Sequence, residues 1–154
     1  MAEFWYNTSK ARLIKGSTGA IDIYADTIVI IALEVDAEEA DDEFVSEVLV
    51  GATEVSSTGY TGGFAGAGRL TLASLVVAVD EVNDRAEIDC ADITWSSISQ
   101  NTSEQWVAFL IVKELTNDAA SPVIAHLEPT GVPLTPNGSD IKITIDAEGL
   151  LHIT

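Results

Sequence analysis

The stretch from Gly68 to Trp95 constrains the chain most, because it reads as a strand, a polar turn and a second strand. Val76, Val77 and Val79 supply β-branched side chains suited to a pleated, half-buried surface, and Glu81 to Asp84 break the apolar run with turn formers. Beyond the turn, Ala86, Ile88 and Cys90 alternate with Arg85, Glu87 and Asp89, which places one face in a core and the other in water. A hairpin is marginal alone, so the remaining segments are read as strands that need it as a partner.

Two unbroken apolar runs, Ile28 to Leu33 and Trp106 to Val112, predict strands covered on both faces. Pro122 to Leu127 follows a turn at Thr116 to Ser121 and reads as the antiparallel return of the second run. Ile141, Ile143 and Ile145 alternate with Lys142 and Thr144, and Asp146 to Gly149 makes a turn before Leu150 to Thr154, so a terminal hairpin is expected. The one convincing helix is short, with Asp41 as its cap, Phe44, Val45, Val48 and Leu49 at helical spacing, and Gly51 at its end. The pattern predicts a mainly β protein, an antiparallel, jelly-roll-like β-sandwich with one short α-helix.

At 154 residues the chain suffices for one core, read as an N-terminal arm over 1–15 and a single β domain over 16–154. Apolar residues make up 47% and mean hydropathy is +0.24, which favours a packed core over disorder. No apolar run approaches the roughly 20 residues that cross a bilayer, and Met-Ala-Glu-Phe-Trp-Tyr does not read as a signal peptide; a membrane partner is not expected. Seven Lys and Arg face 25 Asp and Glu, for a formal charge of −18 and a pI near 4.1. Such a surface repels phosphate backbones, so nucleic acid is not an expected partner. The single Cys90 cannot form an intrachain disulfide and reads as a small buried hydrophobe.

Candidate chemistry is sparse. The acidic loop Glu34 to Glu43 offers Asp36, Asp41 and Asp42 as hard oxygen donors, but it lacks the spacing and central glycine of a calcium loop. Thr58-Gly-Tyr-Thr-Gly-Gly63 follows a helix, precedes a strand and has no lysine, the wrong context for a phosphate cradle. His126 reads as a structural residue with no carboxylate or cysteine at ligand spacing, and the hydroxyls of Ser96 to Ser103 have no paired base. Among so many acids, no carboxylate pair is marked as buried and perturbed. No catalytic, cofactor-binding or metal residue is assigned, and the chain is read as a non-enzyme without cofactors.

Phe4-Trp5-Tyr6 opens the chain with aromatics that cannot all face one core in an extended segment. Lys10, Arg12 and Lys15 then make this its least acidic part, which leaves two readings: an arm packed over its own domain, or an arm that docks on a partner. Several segments together resemble small virion proteins of tailed bacteriophages. They are Tyr6-Asn7 with the basic segment and Gly turn after it, Asp26 to Leu33, Asp42 to Glu47, Thr58 to Gly63, Leu70 to Ala73, Asn83 to Asp89, Asp92 to Trp95, Ser121 to Ala125 and Ile145 to Leu150. The acidic insert Glu34 to Asp41 and the loop Gly63 to Gly68 depart from that pattern.

The resemblance implies a head decoration, or cement, protein. Such a protein sits as a homotrimer on the outer surface of the virion capsid, bound to the major capsid protein and stabilising contacts between capsomers. Phe4, Trp5, Tyr6, Lys10, Arg12 and Lys15, with Tyr60, Phe64 and Arg69 in the loop Ser57 to Arg69, are the expected capsid or subunit interface, and Pro129 to Gly138 is a second loop that could contribute. The alternative is a tail- or fibre-associated structural or host-surface binding module.

Overall fold

The computed structural model describes residues 2–7, 12, 20–37 and 39–153. Its centre is the pair of apolar runs, which become β2 (Ile28–Val35) and β8 (Ala108–Lys113) and lie side by side, antiparallel, in register from Ile28↔Lys113 to Leu33↔Ala108. All six residues of β8 and the first six of β2 are buried, as expected for strands covered on both faces. β9 (Val123–Glu128) returns antiparallel along β8, and β1 (Ala2–Trp5) adds to β9 as an edge strand. On the other flank, β3 (Thr53–Glu54) and β4 (Leu70–Thr71) both pair with β2, completing a six-stranded sheet.

Alternation along the central strands feeds two cores. Ile28, Ile30 and Ala32 of β2, with Phe109 and Ile111 of β8, face one side, while Val29, Ile31 and Leu33, with Leu110 and Val112, face the other. The second side is closed by α1 (Val45–Val48), Ala52 and Tyr6. The first side is closed by two smaller antiparallel sheets. One joins β5 (Val76–Asp80), β6 (Arg85–Asp89) and β11 (Leu151–Ile153), and the other pairs β7 (Ile93–Trp95) with β10 (Ile141–Ile143). Ile88, Ile93, Trp95, Ile141 and Leu151 meet Phe109 and Ile111 in one cluster, which makes the molecule a sandwich of antiparallel layers with a short helix. Each fully buried aliphatic or aromatic side chain contributes about 1.5–3 kcal/mol, so these layers outweigh any surface ion pair.

The aromatic centre fixes how the layers meet. Trp95 stacks on Phe109 at 5.5 Å and meets Trp106 edge-on at 5.2 Å, and its Nε1 donates to the Gly68 carbonyl at 2.7 Å. Gly68 is needed there: a Cβ on it would lie 2.6 Å from the Tyr60 ring.

Three expectations change. The turn at Asp146 to Gly149 forms, but it does not join a hairpin: β10 pairs with β7, and β11 with β6. The segments 85–95 and 141–153 run antiparallel as a bent ribbon, pinned at the bend where the Ile145 amide donates to Asp92. The helix begins at Phe44 rather than after Asp41. Glu47 reaches back to accept the amides of Glu43 and Phe44, while Asp41 accepts from the Asn7 side chain. Finally, Ala2–Trp5 of the expected arm forms a strand of the main sheet.

Candidate functional site

The residues expected at an interface divide sharply by burial. Trp5 is 7% exposed and its indole donates to the His152 carbonyl, while Tyr6 is wholly buried, its backbone amide bonded to the Ile124 carbonyl. As neighbours on an extended segment they point to opposite sides, and each enters one of the two cores. Phe4 is half-buried and stacks on the His126 ring. Arg12 pairs with the Glu43 carboxylate and lies over the Phe44 ring. Lys10 and Lys15 lie outside the described residues. Of the loop residues, only Phe64 is exposed; Tyr60 and Arg69 are buried.

Arg69 is an internal fastener rather than a contact waiting for a partner. Its Nε and Nη2 donate to the two Glu54 oxygens at 3.0 and 2.7 Å, and Nη1 and Nη2 donate to Asp118 at 2.5 and 3.1 Å. Burial works against its charge, but the hydrogen bonds to Glu54 and Asp118 prevail and raise its pKa. The Tyr60 hydroxyl completes the knot, donating to Glu54 and accepting from the Ala32 amide. A guanidinium bound bidentately on two sides has little left for an outside ligand.

A second polar cluster sits behind the first. Buried Glu104 accepts from the Ser57 hydroxyl and, at 3.0 Å, from the Trp106 indole. Glu34 is hydrogen-bonded to it, and burial, then the Glu104 charge, then that hydrogen bond raise the Glu34 pKa. Glu34 holds its proton to higher pH than usual, because a second carboxylate beside it is costly. The pair does not line either of the two cavities below. Cys90 is buried, and burial, with Asp89 and Asp92, pushes its thiol up to about 11, so it stays a protonated thiol at neutral pH.

His126 is only 3% exposed, but the expectation that it stands apart from carboxylates is overturned. Its Nε2 lies 3.2 Å from Asp36 Oδ1, and Glu128 brings a third donor to the same place.

The open surface is the outer part of the β5–β6–β11 sheet, where the organising hairpin departs from expectation. Val77 lies opposite Ile88, which lies opposite Leu151, so these three share a face; Val79, Ala86 and Ile153 continue it one pair further along. Ile88 and Leu151 are buried, but Val77, Val79 and Ile153 are 40%, 77% and 39% exposed. The alternation places Val77 and Val79 on the apolar face and Val76, opposite Asp89, on the other, and the sheet runs on past the core. The overhang carries a shallow depression of about 340 Å³ lined by Val79, Ala86 and Ile153, with Asp80, Glu81 and Asp84 at its rim. Arg85, also at the rim, is neutralised by Asp80, Glu87 and Glu148.

Among the described residues, β5 is also an open edge of its sheet. The Val77 amide points outward, where the Tyr24 hydroxyl accepts its hydrogen bond at 2.9 Å. Sequence reasoning missed this surface because period-two patterning names a face but not where its cover ends. A second depression, of about 430 Å³, lies between the loop Pro129 to Leu134 and β10, with Lys142 and Asp146 on its wall.

Among the described residues, these features define a β-sandwich with an exposed apolar sheet margin ringed by carboxylates. Comparison with protein-family models, with curated proteins and with solved structures yields no match.

Proposed function

We propose that this chain is a structural protein of a tailed-phage virion, a decoration protein that binds the outer surface of the head and holds neighbouring capsomers together. The observation that carries the reading is the overhang of β5, β6 and β11: an apolar half-face and an open strand edge on an otherwise acidic molecule. Because Trp5, Tyr6, Tyr60 and Arg69 are buried within their own chain, the reading takes this sheet margin, rather than those residues, as the docking surface. The rim of Asp80, Glu81 and Asp84 matches a partner whose apolar ridge is flanked by lysine or arginine, and we assign that partner as the major capsid protein. Docking there is physical rather than chemical. A protein that binds only the assembled shell stabilises it by mass action, and a trimer would combine several weak contacts through effective concentration.

The test replaces Val77 and Val79 together by lysine, which removes the apolar margin and opposes the partner's charge without touching a buried side chain. The double variant should remain folded and lose co-sedimentation with stripped heads, on the order of tenfold or more in affinity. Undiminished head binding would remove this surface from the proposal. Labelling of whole particles decides location, and signal confined to tails would replace the decoration reading with the tail-module reading.

A further inference from the structure

We infer that Asp36, His126 and Glu128 form a binding site for a divalent first-row cation of the zinc type. One nitrogen and two carboxylate oxygens lie within 4.8 Å of one another, brought together from the end of β2 and from alternate residues of β9. His126 and Glu128 share a face of β9 because they are two positions apart. Asp36 follows directly on β2, so its backbone is held by the central sheet. The Nε2 to Oδ1 separation of 3.2 Å, within reach of a hydrogen bond, also matches two ligands of one tetrahedral ion, which sit roughly 3.3 Å apart when each bond is about 2.0–2.1 Å.

The surroundings favour an ion over a simple acid–imidazole pair. Phe4 stacks on the imidazole at 5.1 Å and 24°, holding its plane while Nε2 faces Asp36. The Tyr6 ring lies 5.2 Å from that of Phe4, and its wholly buried hydroxyl has no hydrogen-bond partner among the described residues. Burial, then the charges of Asp42 and Asp36, raise its pKa, so it remains a neutral hydroxyl. A water bound to a cation is a strong hydrogen-bond donor, and the neutral Tyr6 oxygen is the kind of group that accepts from one.

Donor chemistry sets the class. Calcium and magnesium prefer all-oxygen sites, whereas an imidazole with carboxylates suits zinc and its first-row neighbours. The other acidic grouping, Asp80, Glu87 and Glu148, gives a useful contrast, since the Arg85 guanidinium already binds all three. Two other acids of the loop are engaged differently: Asp41 holds the Asn7 side-chain amide and Asp42 the Glu39 backbone amide.

The experiment titrates zinc chloride into the full chain after chelator treatment and dialysis, read by calorimetry and by the imidazole proton signals of the two histidines. The expected result is one saturable site per chain that survives excess magnesium and shifts the His126 signals but not those of His152. Asp36→Asn and Glu128→Gln, both at partly exposed or exposed positions, should each weaken binding about tenfold or more. Asp41→Asn and Glu39→Gln serve as acidic-loop controls and should leave it unchanged. Equal affinity in all four variants, displacement by magnesium, or movement of His152 alone would overturn the site and leave only diffuse attraction to an acidic chain.

Discussion

Glu34 and Glu104 show how a single side chain acquires a property that its neighbours in sequence do not announce. Glu34 sits near the end of a strand whose alternation explains its apolar neighbours, while Glu104 is held by Ser57 and Trp106. The folded protein keeps a proton on Glu34 above the ordinary glutamate pKa. Its contribution to stability is therefore complete below the unfolded value and is lost as pH rises through the raised folded value. Glu34→Gln, whose amide can still donate to Glu104, should raise the urea midpoint at neutral pH and change it little below about pH 4. A shift of equal size at both ends of the range would refute the raised Glu34 pKa. His126 teaches the same lesson: Glu128 stands two positions on, but Asp36, the carboxylate bonded to its ring, is 90 positions away in sequence.

Elements were legible wherever their own pattern sufficed. The two apolar runs became the doubly covered β2 and β8, the Val76–Asp89 hairpin formed, and β9 returned along β8. Pairing between distant segments was not legible, because the turn at Asp146 to Gly149 is equally good whether the flanking strands meet each other or separate partners. The choice falls to the core, where Ile141 and Ile143 cover Trp95 and Phe109, and Leu151 covers Ile88. Nor does a sequence show that Arg69 ties Glu54 on β3 to the turn carrying Asp118. Arg69→Ala would strand two carboxylates around a buried hole and should cost about 3–5 kcal/mol in denaturant unfolding. Arg69→Lys should recover only part, since an ammonium cannot grip both acids bidentately. A loss below about 1 kcal/mol for Arg69→Ala would reduce the knot to a surface pair.

At the scale of the whole molecule, a formal charge of −18 on 154 residues opposes compactness even where local pairs are satisfied. Screening should relieve more repulsion than it costs in ion pairs, because acids outnumber bases 25 to 7. The melting temperature is expected to climb as sodium chloride goes from about 10 mM to about 0.5 M. A falling melting temperature would mean that the paired charges govern instead. Charge also changes what the open margin of β5 can do. An unguarded strand edge invites head-to-head stacking into fibrils, yet here every newcomer of the same kind brings eighteen negative charges, and the Tyr24 phenol already plugs one slot of the ladder. Displacing that plug sacrifices a single neutral hydrogen bond, roughly 0.5–1.5 kcal/mol. A cationic stranger can therefore open the edge where a sibling chain is turned away, which lets the protein be stored concentrated without seeding its own aggregation.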